Sequence, residues 1–201
     1  PYRGLLLYHG LGSGKTCSSI AIAEGFMNLS SIAFSEGLMA PKKVIVMTPA
    51  SLKKNYIEEL KKCGNQIYHF NQYWEYINIR SEPDLIDSLS SALQLPINYI
   101  EKKGGAWLVN VEKESNYSTL NEDEKKSIND QIELMIDNKY SFIKYNGLRK
   151  KKLNELTNNG KKNIFSNKVI IIDEAHNFVS RIVNKIDKEK KKTDKSTSMI
   201  L

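Results

Sequence analysis

Cysteine is nearly absent from this chain: Cys17 and Cys63 are the whole complement. No Cys-x-x-Cys pair or His/Cys cluster marks a metal site, and both thiols are expected to be reduced, in an intracellular protein. Cys17 reads as a small core residue, and His69 as a lone histidine without ligand partners. No apolar run approaches the length that crosses a bilayer and no secretory leader is recognisable, so no membrane partner is expected. Acidic side chains are the minority charge, 23 against 30 Lys and Arg, for a net +7. That balance favours a polyanionic partner. Much of the excess sits in lysine clusters at 150–152 and 185–195, which are more often solvated faces than binding sites. An initiator Met is also missing. The chain begins almost on its first apolar run and ends on another, Met199-Ile200-Leu201. A piece of a longer protein is expected.

What is present is an alternation of apolar runs and helical periodicities with no internal repeat. The 201 residues suffice for one domain with an insertion. Gly4-Leu5-Leu6-Leu7-Tyr8 predicts a buried strand, followed by a helix from Lys15 to about Leu29 with Ile20, Ala23 and Met27 on one side. Residues 30–41 read as a connection. A second strand covers 43–47. Thr48 is placed to cap the next helix, with Pro49 in its first turn, Leu52, Tyr56 and Leu60 along its face and Gly64 as its stop. Residues from about 66 to 120 read as an inserted helix and hairpin region. It carries Tyr68, Phe70, Tyr73, Trp74 and Tyr76, and its strand at 106–109 follows Gly104-Gly105. Asn121 and Glu124 form a capping box for a helix to Lys139, with Ile128, Ile132, Met135 and Ile136 as its stripe. A third strand spans 141–145 and ends at Asn146-Gly147. A lysine-rich helix and an Asn158-Asn159-Gly160 turn lead to a fourth strand at 168–172. Phe178, Val179, Ile182, Val183 and Ile186 mark one face of a last helix, and 187–198 is expected to be a mobile lysine-rich segment. Strands alternating with helices predict an α/β fold with a mainly parallel sheet covered on both faces.

Two motifs carry chemistry. His9-Gly10-Leu11-Gly12-Ser13-Gly14-Lys15-Thr16 lies between a predicted strand and a predicted helix. Its glycines let backbone N–H groups close around phosphate oxygens, and the helix start adds positive potential. Gly10, Leu11, Gly12, Ser13, Gly14, Lys15, Thr16 and Cys17 are the candidate nucleotide-binding residues. Lys15 would reach the β- and γ-phosphates, and the Thr16 hydroxyl would hold Mg²⁺. His9 stands where the G-x4-G-K-[ST] pattern has its first glycine, so Gly10 would have to rebuild the turn. Downstream, Val169-Ile170-Ile171-Ile172 runs into Asp173-Glu174-Ala175-His176. Asp173, at a strand's carboxyl end, would hold Mg²⁺. Glu174 would orient or deprotonate the attacking water, and His176 would couple the site to a neighbouring domain. ATP and Mg²⁺ are the expected cofactors.

The order Gly12-Ser13-Gly14-Lys15-Thr16, Thr48-Pro49-Ala50-Ser51-Leu52, Asp173-Glu174-Ala175-His176 resembles motifs I, Ia and II of superfamily 2 helicases and translocases. Asn55-Tyr56 and Glu59-Leu60 are similar to a pattern that follows motif Ia in the Snf2-like branch. Closer wording at Tyr2-Arg3-Gly4, Gly105-Ala106-Trp107-Leu108-Val109 and Tyr145-Asn146-Gly147-Leu148 resembles helicases of nucleocytoplasmic large DNA viruses. That group contains the poxvirus early transcription factor small subunit and nucleoside triphosphatase I. The resemblance implies a P-loop NTPase, RecA-like, three-layer α/β/α first motor domain. It implies ATP hydrolysis in a full-length helicase or translocase, with a second RecA-like domain and viral transcription machinery as partners, in the virion or host cytoplasm. Thr48, Pro49 and Ala50 would contact nucleic acid, DNA in preference to RNA, and Lys53 and Lys54 could add phosphate contacts. Motif III and the second domain's arginine finger are not recognisable here, so the isolated chain is expected to be nearly inactive. Two other readings share these residues: a nucleotide-gated nucleic-acid binding module, and a non-helicase P-loop ATPase.

Overall fold

The computed structural model describes residues 4–8, 10, 12–35, 43–145, 148–180 and 182–184. In chain order its regular elements are α1 (Lys15–Ser35), β1 (Lys43–Thr48), α2 (Lys53–Cys63), β2 (Tyr73–Asn78), α3 (Ile86–Leu93), α4 (Ile97–Lys103), β3 (Gly105–Asn110), α5 (Glu122–Lys139), β4 (Tyr140–Lys144), α6 (Lys150–Thr157) and β5 (Lys168–Ile172). Residues 175–180 and 182–184 are helical. The chain is α/β. Its main sheet is parallel and three-stranded in the order β4-β1-β5.

β1 is the centre of that sheet because Val44-Ile45-Val46-Met47 can be buried on both faces. Successive side chains alternate. Val44 and Val46 join the larger core with Ile20, Ala23 and Met27 of α1, Tyr56 and Leu60 of α2, and the α5 stripe. Ile45 and Met47 face the opposite way, into a smaller cluster with Tyr145, Phe165 and Phe178. Each fully buried large apolar side chain contributes about 1.5–3 kcal/mol, so the α1–α2–α5 face dominates the packing energy. Polar links reinforce it. Lys61 of α2 is buried and bonds Glu58 at 3.2 Å, Asn129 at 3.0 Å and Glu133 at 3.1 Å, tying α2 to α5. Glu24 of α1 is buried against the Lys139 ammonium and the Tyr140 hydroxyl, tying α1 to the α5–β4 junction.

The region from about 66 to 120 carries both helices and paired strands, but the strands are not joined by a tight turn. β2 and β3 do pair antiparallel, but α3 and α4 lie between them in the chain. The Gln131 side chain accepts from Trp107 N and donates to Trp107 O, both at 2.8 Å. Asn116 does the same for Trp74, accepting from its N at 2.8 Å and donating to its O at 3.0 Å. Gly105 is required where β3 starts: a Cβ there would lie 2.1 Å from the Ile77 carbonyl oxygen.

The capping box of α5 forms as expected, with Asn121 and Glu124 each accepting the other's backbone N–H. Gly64 ends α2, its N–H returning to Leu60 O at 3.0 Å. Asn158, Asn159 and Gly160 all take positive φ in the turn after α6. Other expectations are corrected. Residues 4–8 form no strand; Leu5, Leu6 and Tyr8 are exposed, since a strand needs a ladder partner and the described residues supply none. α1 continues to Ser35, past the expected end near Leu29. Val179, Ile182 and Val183 are roughly half exposed, because no described residue packs over that face. Ile186, the 185–195 lysines and the 187–198 segment lie outside the described residues, as do Tyr2, Arg3, Asn146 and Gly147.

Candidate functional site

Gly12 and Gly14 both take φ near +75°, at 75° and 76°, the left-handed region that side chains avoid. A side chain would meet no neighbour at either position, so conformation, not space, selects glycine. Ser13 Oγ donates to Gly10 O at 2.7 Å, and Lys15 Nζ donates to the same carbonyl at 3.1 Å. The loop thus folds back on Gly10. Ser18 N donates to Gly14 O at 2.9 Å, the first rung of α1. Thr16 and Cys17 are half-buried in that first turn. His9 and Leu11 lie outside the described residues.

The acidic doublet is held from several sides. Asp173 N donates to Met47 O at 2.9 Å, extending the β1–β5 ladder one residue beyond the strand. Thr48 Oγ1 donates to Asp173 Oδ2 at 3.0 Å. The Tyr145 hydroxyl donates toward the carbonyls of Asp173, at 3.3 Å, and Glu174, at 3.2 Å. Glu174 adopts φ of 50°, a left-handed conformation uncommon for a residue with a Cβ. Such strain concentrates at sites where side-chain direction matters. Burial holds the Asp173 carboxyl above its ordinary range; the adjacent Glu174 charge adds to this, while Thr48, the Glu174 backbone and the Lys15 ammonium oppose it. α1, which the glycine loop opens, packs beside β5, which runs into the acidic doublet. His176 Nδ1 lies 3.3 Å from Glu174 Oε2, with the imidazole largely exposed.

The motif Ia segment is arranged differently from the expectation. Thr48 and Pro49 are buried and Ala50 is exposed. Thr48 caps no helix: its hydroxyl is taken by Asp173. A 3-10 turn at Ala50–Leu52 precedes α2, which starts only at Lys53. Lys53 lies over the Phe142 ring, 5.0 Å from its centroid, and Lys54 is exposed. The aromatic residues of the insertion mostly pack. Tyr68 and Trp74 are buried, Phe70 stacks on Tyr117, and Tyr76 meets Trp107 edge-on.

The cysteines correct the expectation of two reduced thiols. Cys17 and Cys63 form a disulfide across a Cα–Cα distance of 5.6 Å. Folding brings Glu59 beside them, within 4.8 Å. With the sulfurs bonded to each other there is no thiolate pair to ligate a metal. Tyr56, expected on the apolar face of α2 and in the pattern after motif Ia, also makes a polar contact. Its hydroxyl meets Ser19 Oγ at 3.1 Å, and burial pushes it up to about 12. Nothing in a single sequence announces such a contact between α1 and α2. Tyr145, 28 residues before Asp173 and at the end of a strand that β1 separates from β5, is equally silent in the sequence.

No protein-family model matches the chain, and no solved structure matches it. It is similar to viral proteins named as helicases. "Putative ATP-dependent RNA helicase R563" of Acanthamoeba polyphaga mimivirus is 31% identical over 90% of this chain, which spans 22% of that protein. "Putative helicase 087L" of Invertebrate iridescent virus 3 is 26% identical over 88% of the chain, which spans 13% of it. A second mimivirus protein, "Putative ATP-dependent RNA helicase L377", is 38% identical over 34% of the chain and 5% of its own length. The chain thus corresponds to a small part of each helicase-named relative.

Proposed function

We propose that this chain is the ATP-binding first motor domain of a superfamily 2 nucleic-acid helicase or translocase of a large DNA virus. One observation supports it above the rest: α1, which the glycine loop opens, packs beside β5, which ends at the acidic doublet. A P-loop NTPase of RecA type places its phosphate loop and its acidic doublet together at the carboxyl ends of parallel strands. Helicase names among the relatives point the same way.

In this reading the loop's N–H groups and Lys15 bind the triphosphate. The residues fit a hard divalent cation: the Thr16 hydroxyl and the Asp173 carboxylate are oxygen donors, and Asp173 is held in place by Thr48. Mg²⁺ when bound would neutralise charge building on the phosphates. Glu174 orients or deprotonates the attacking water, its direction set by its left-handed backbone. His176, beside Glu174, relays the state of the site to a neighbouring domain. Two relatives carry RNA in their names and the third specifies no nucleic acid, so the expected preference for DNA is not retained. Transcription or genome handling in the virion or host cytoplasm is the proposed setting.

The test uses the full-length protein. Glu174→Gln should leave ATP binding intact and lower nucleic-acid-stimulated turnover about 100-fold or more, while Lys15→Ala should abolish binding. Full turnover in the Glu174→Gln protein would defeat the assignment.

A further inference from the structure

Beyond the nucleotide site, a covalent link joins α1 and α2. Cys17 directly follows Thr16 in the first turn of α1, and Cys63 is the last residue of α2. Their bond joins positions 46 residues apart. The same two helices otherwise meet through Ser19 and Tyr56. Both cysteines are only half-buried, so a small thiol can approach the bond. Glu59 Oε2 lies 3.5 Å from Cys17 Sγ, while Glu59 Oε1 is held at 2.9 Å by Lys62. Ile20, Ala23, Tyr56 and Leu60 form the core beside this link, and Cys63 packs against it.

A Cβ placed at Gly10, Gly12 or Gly14 would meet nothing within 4 Å. Among the described loop residues, bonds to Gly10 O and the junction with α1 contribute to holding the loop. Cys17 anchors that junction to α2. The start of α2 in turn follows Thr48, which holds Asp173. A link at Cys17 therefore ties the residue that follows Thr16 to the last turn of α2.

We propose that Cys17 and Cys63 form a reversible thiol–disulfide modification site whose closed state preorders the phosphate loop for a nucleoside triphosphate. This rests on the nucleotide-binding reading above and adds regulation to it. The chemistry is two-electron exchange. A small dithiol attacks one sulfur as its thiolate, forms a mixed disulfide and releases the other cysteine. Its second thiolate then displaces the first cysteine. The protein ends with two thiols and the reductant as a cyclic disulfide. In the opposite direction glutathione disulfide is the oxidant. One protein thiolate displaces a glutathione, and the second cysteine displaces the other, each leaving as a thiol. Closing the bond removes loop conformations that cannot bind, which favours affinity through preorganisation.

The experiment uses the full-length protein equilibrated in reduced or oxidised glutathione buffers. Peptide mapping after alkylation reads the Cys17–Cys63 cross-link, and titration with a fluorescent ATP analogue plus Mg²⁺ reads affinity. The oxidised protein should bind about three- to tenfold more tightly than the reduced. Cys63→Ser should bind with the reduced protein's affinity in both buffers. Absence of the cross-link under oxidising buffer would overturn the proposal, as would equal affinity in the two states. Failure of the analogue to bind in either state would defeat the nucleotide site itself and the gating with it. A mapped, exchangeable cross-link with state-independent affinity would overturn the proposal while leaving the nucleotide site in place.

Discussion

The Thr48 hydroxyl donates to Asp173 Oδ2 at 3.0 Å, joining the last residue of β1 to the first residue beyond β5. Thr48 is fully buried, so this bond is its side chain's contribution to the site. The segment expected to face nucleic acid thus begins with a residue that orients the carboxylate expected to face Mg²⁺. A shift at either end of that bond is felt at the other.

Replacing Thr48 with Val keeps the shape and removes the bond. A hydrogen bond to a charged group contributes about 1.5–3 kcal/mol, so Mg²⁺-dependent nucleotide affinity should fall about tenfold or more. Thr48→Ser should recover most of it. Titration with a fluorescent nucleotide analogue, with and without Mg²⁺, checks this; equal loss in both conditions would reduce Thr48 to a packing residue.

Glu24 is buried against Lys139 and Tyr140, so removing its charge strands an ammonium in the core. Glu24→Leu should destabilise by about 3–5 kcal/mol, and Lys139→Met by a similar amount. The double replacement should cost much less than their sum. Urea unfolding of the four proteins measures the coupling.

Burial raises the Tyr56 hydroxyl to about 12 from 10.0. Between those values the native state holds the proton more tightly than the unfolded chain. The stabilisation is complete below pH 10 and is lost as the pH climbs through 12. At full loss it amounts to about 3 kcal/mol. Tyr68 and Tyr140, also raised chiefly by burial, steepen the same alkaline decline. Tyr56→Phe should flatten it; denaturation midpoints measured from pH 9 to 12 would reveal an unchanged slope if another group were responsible.

Gly105→Ala would press a methyl group against the Ile77 carbonyl oxygen and the Tyr76 ring. Backbone contact cannot be relieved by a rotamer change. A loss of about 2–3 kcal/mol is expected, with near-UV signals of Trp107 and Tyr76 altered. Thermal melts and circular dichroism test it.

The sequence made the parallel strands legible wherever apolar runs were short and bounded, as at 43–47 and 168–172. It made the α5 cap legible because a capping box is local chemistry. The Gly4–Tyr8 strand misled because a ladder partner is not a local property. Thr48 was read as a cap because its neighbours allow one. Its bond to Asp173 depends on the β1–β5 register, which propensity does not encode. The Cys17–Cys63 link was hidden for the same reason: two isolated cysteines carry no spacing signal, and only the α1–α2 crossing brings them together. Local motifs single out Lys15, Asp173 and Glu174 as candidates; how they are held is not local.

Asn116 and Gln131 each plug a side-chain amide into one outward-facing peptide of the small antiparallel sheet. One sits against β2 and the other against β3, so both rims of the pair are occupied at Trp74 and Trp107. An unguarded rim invites a strand from a neighbouring molecule and, with it, aggregation. Here the invitation is withdrawn by two carboxamides, and a two-stranded ribbon can stand on the surface of α5 without recruiting a third.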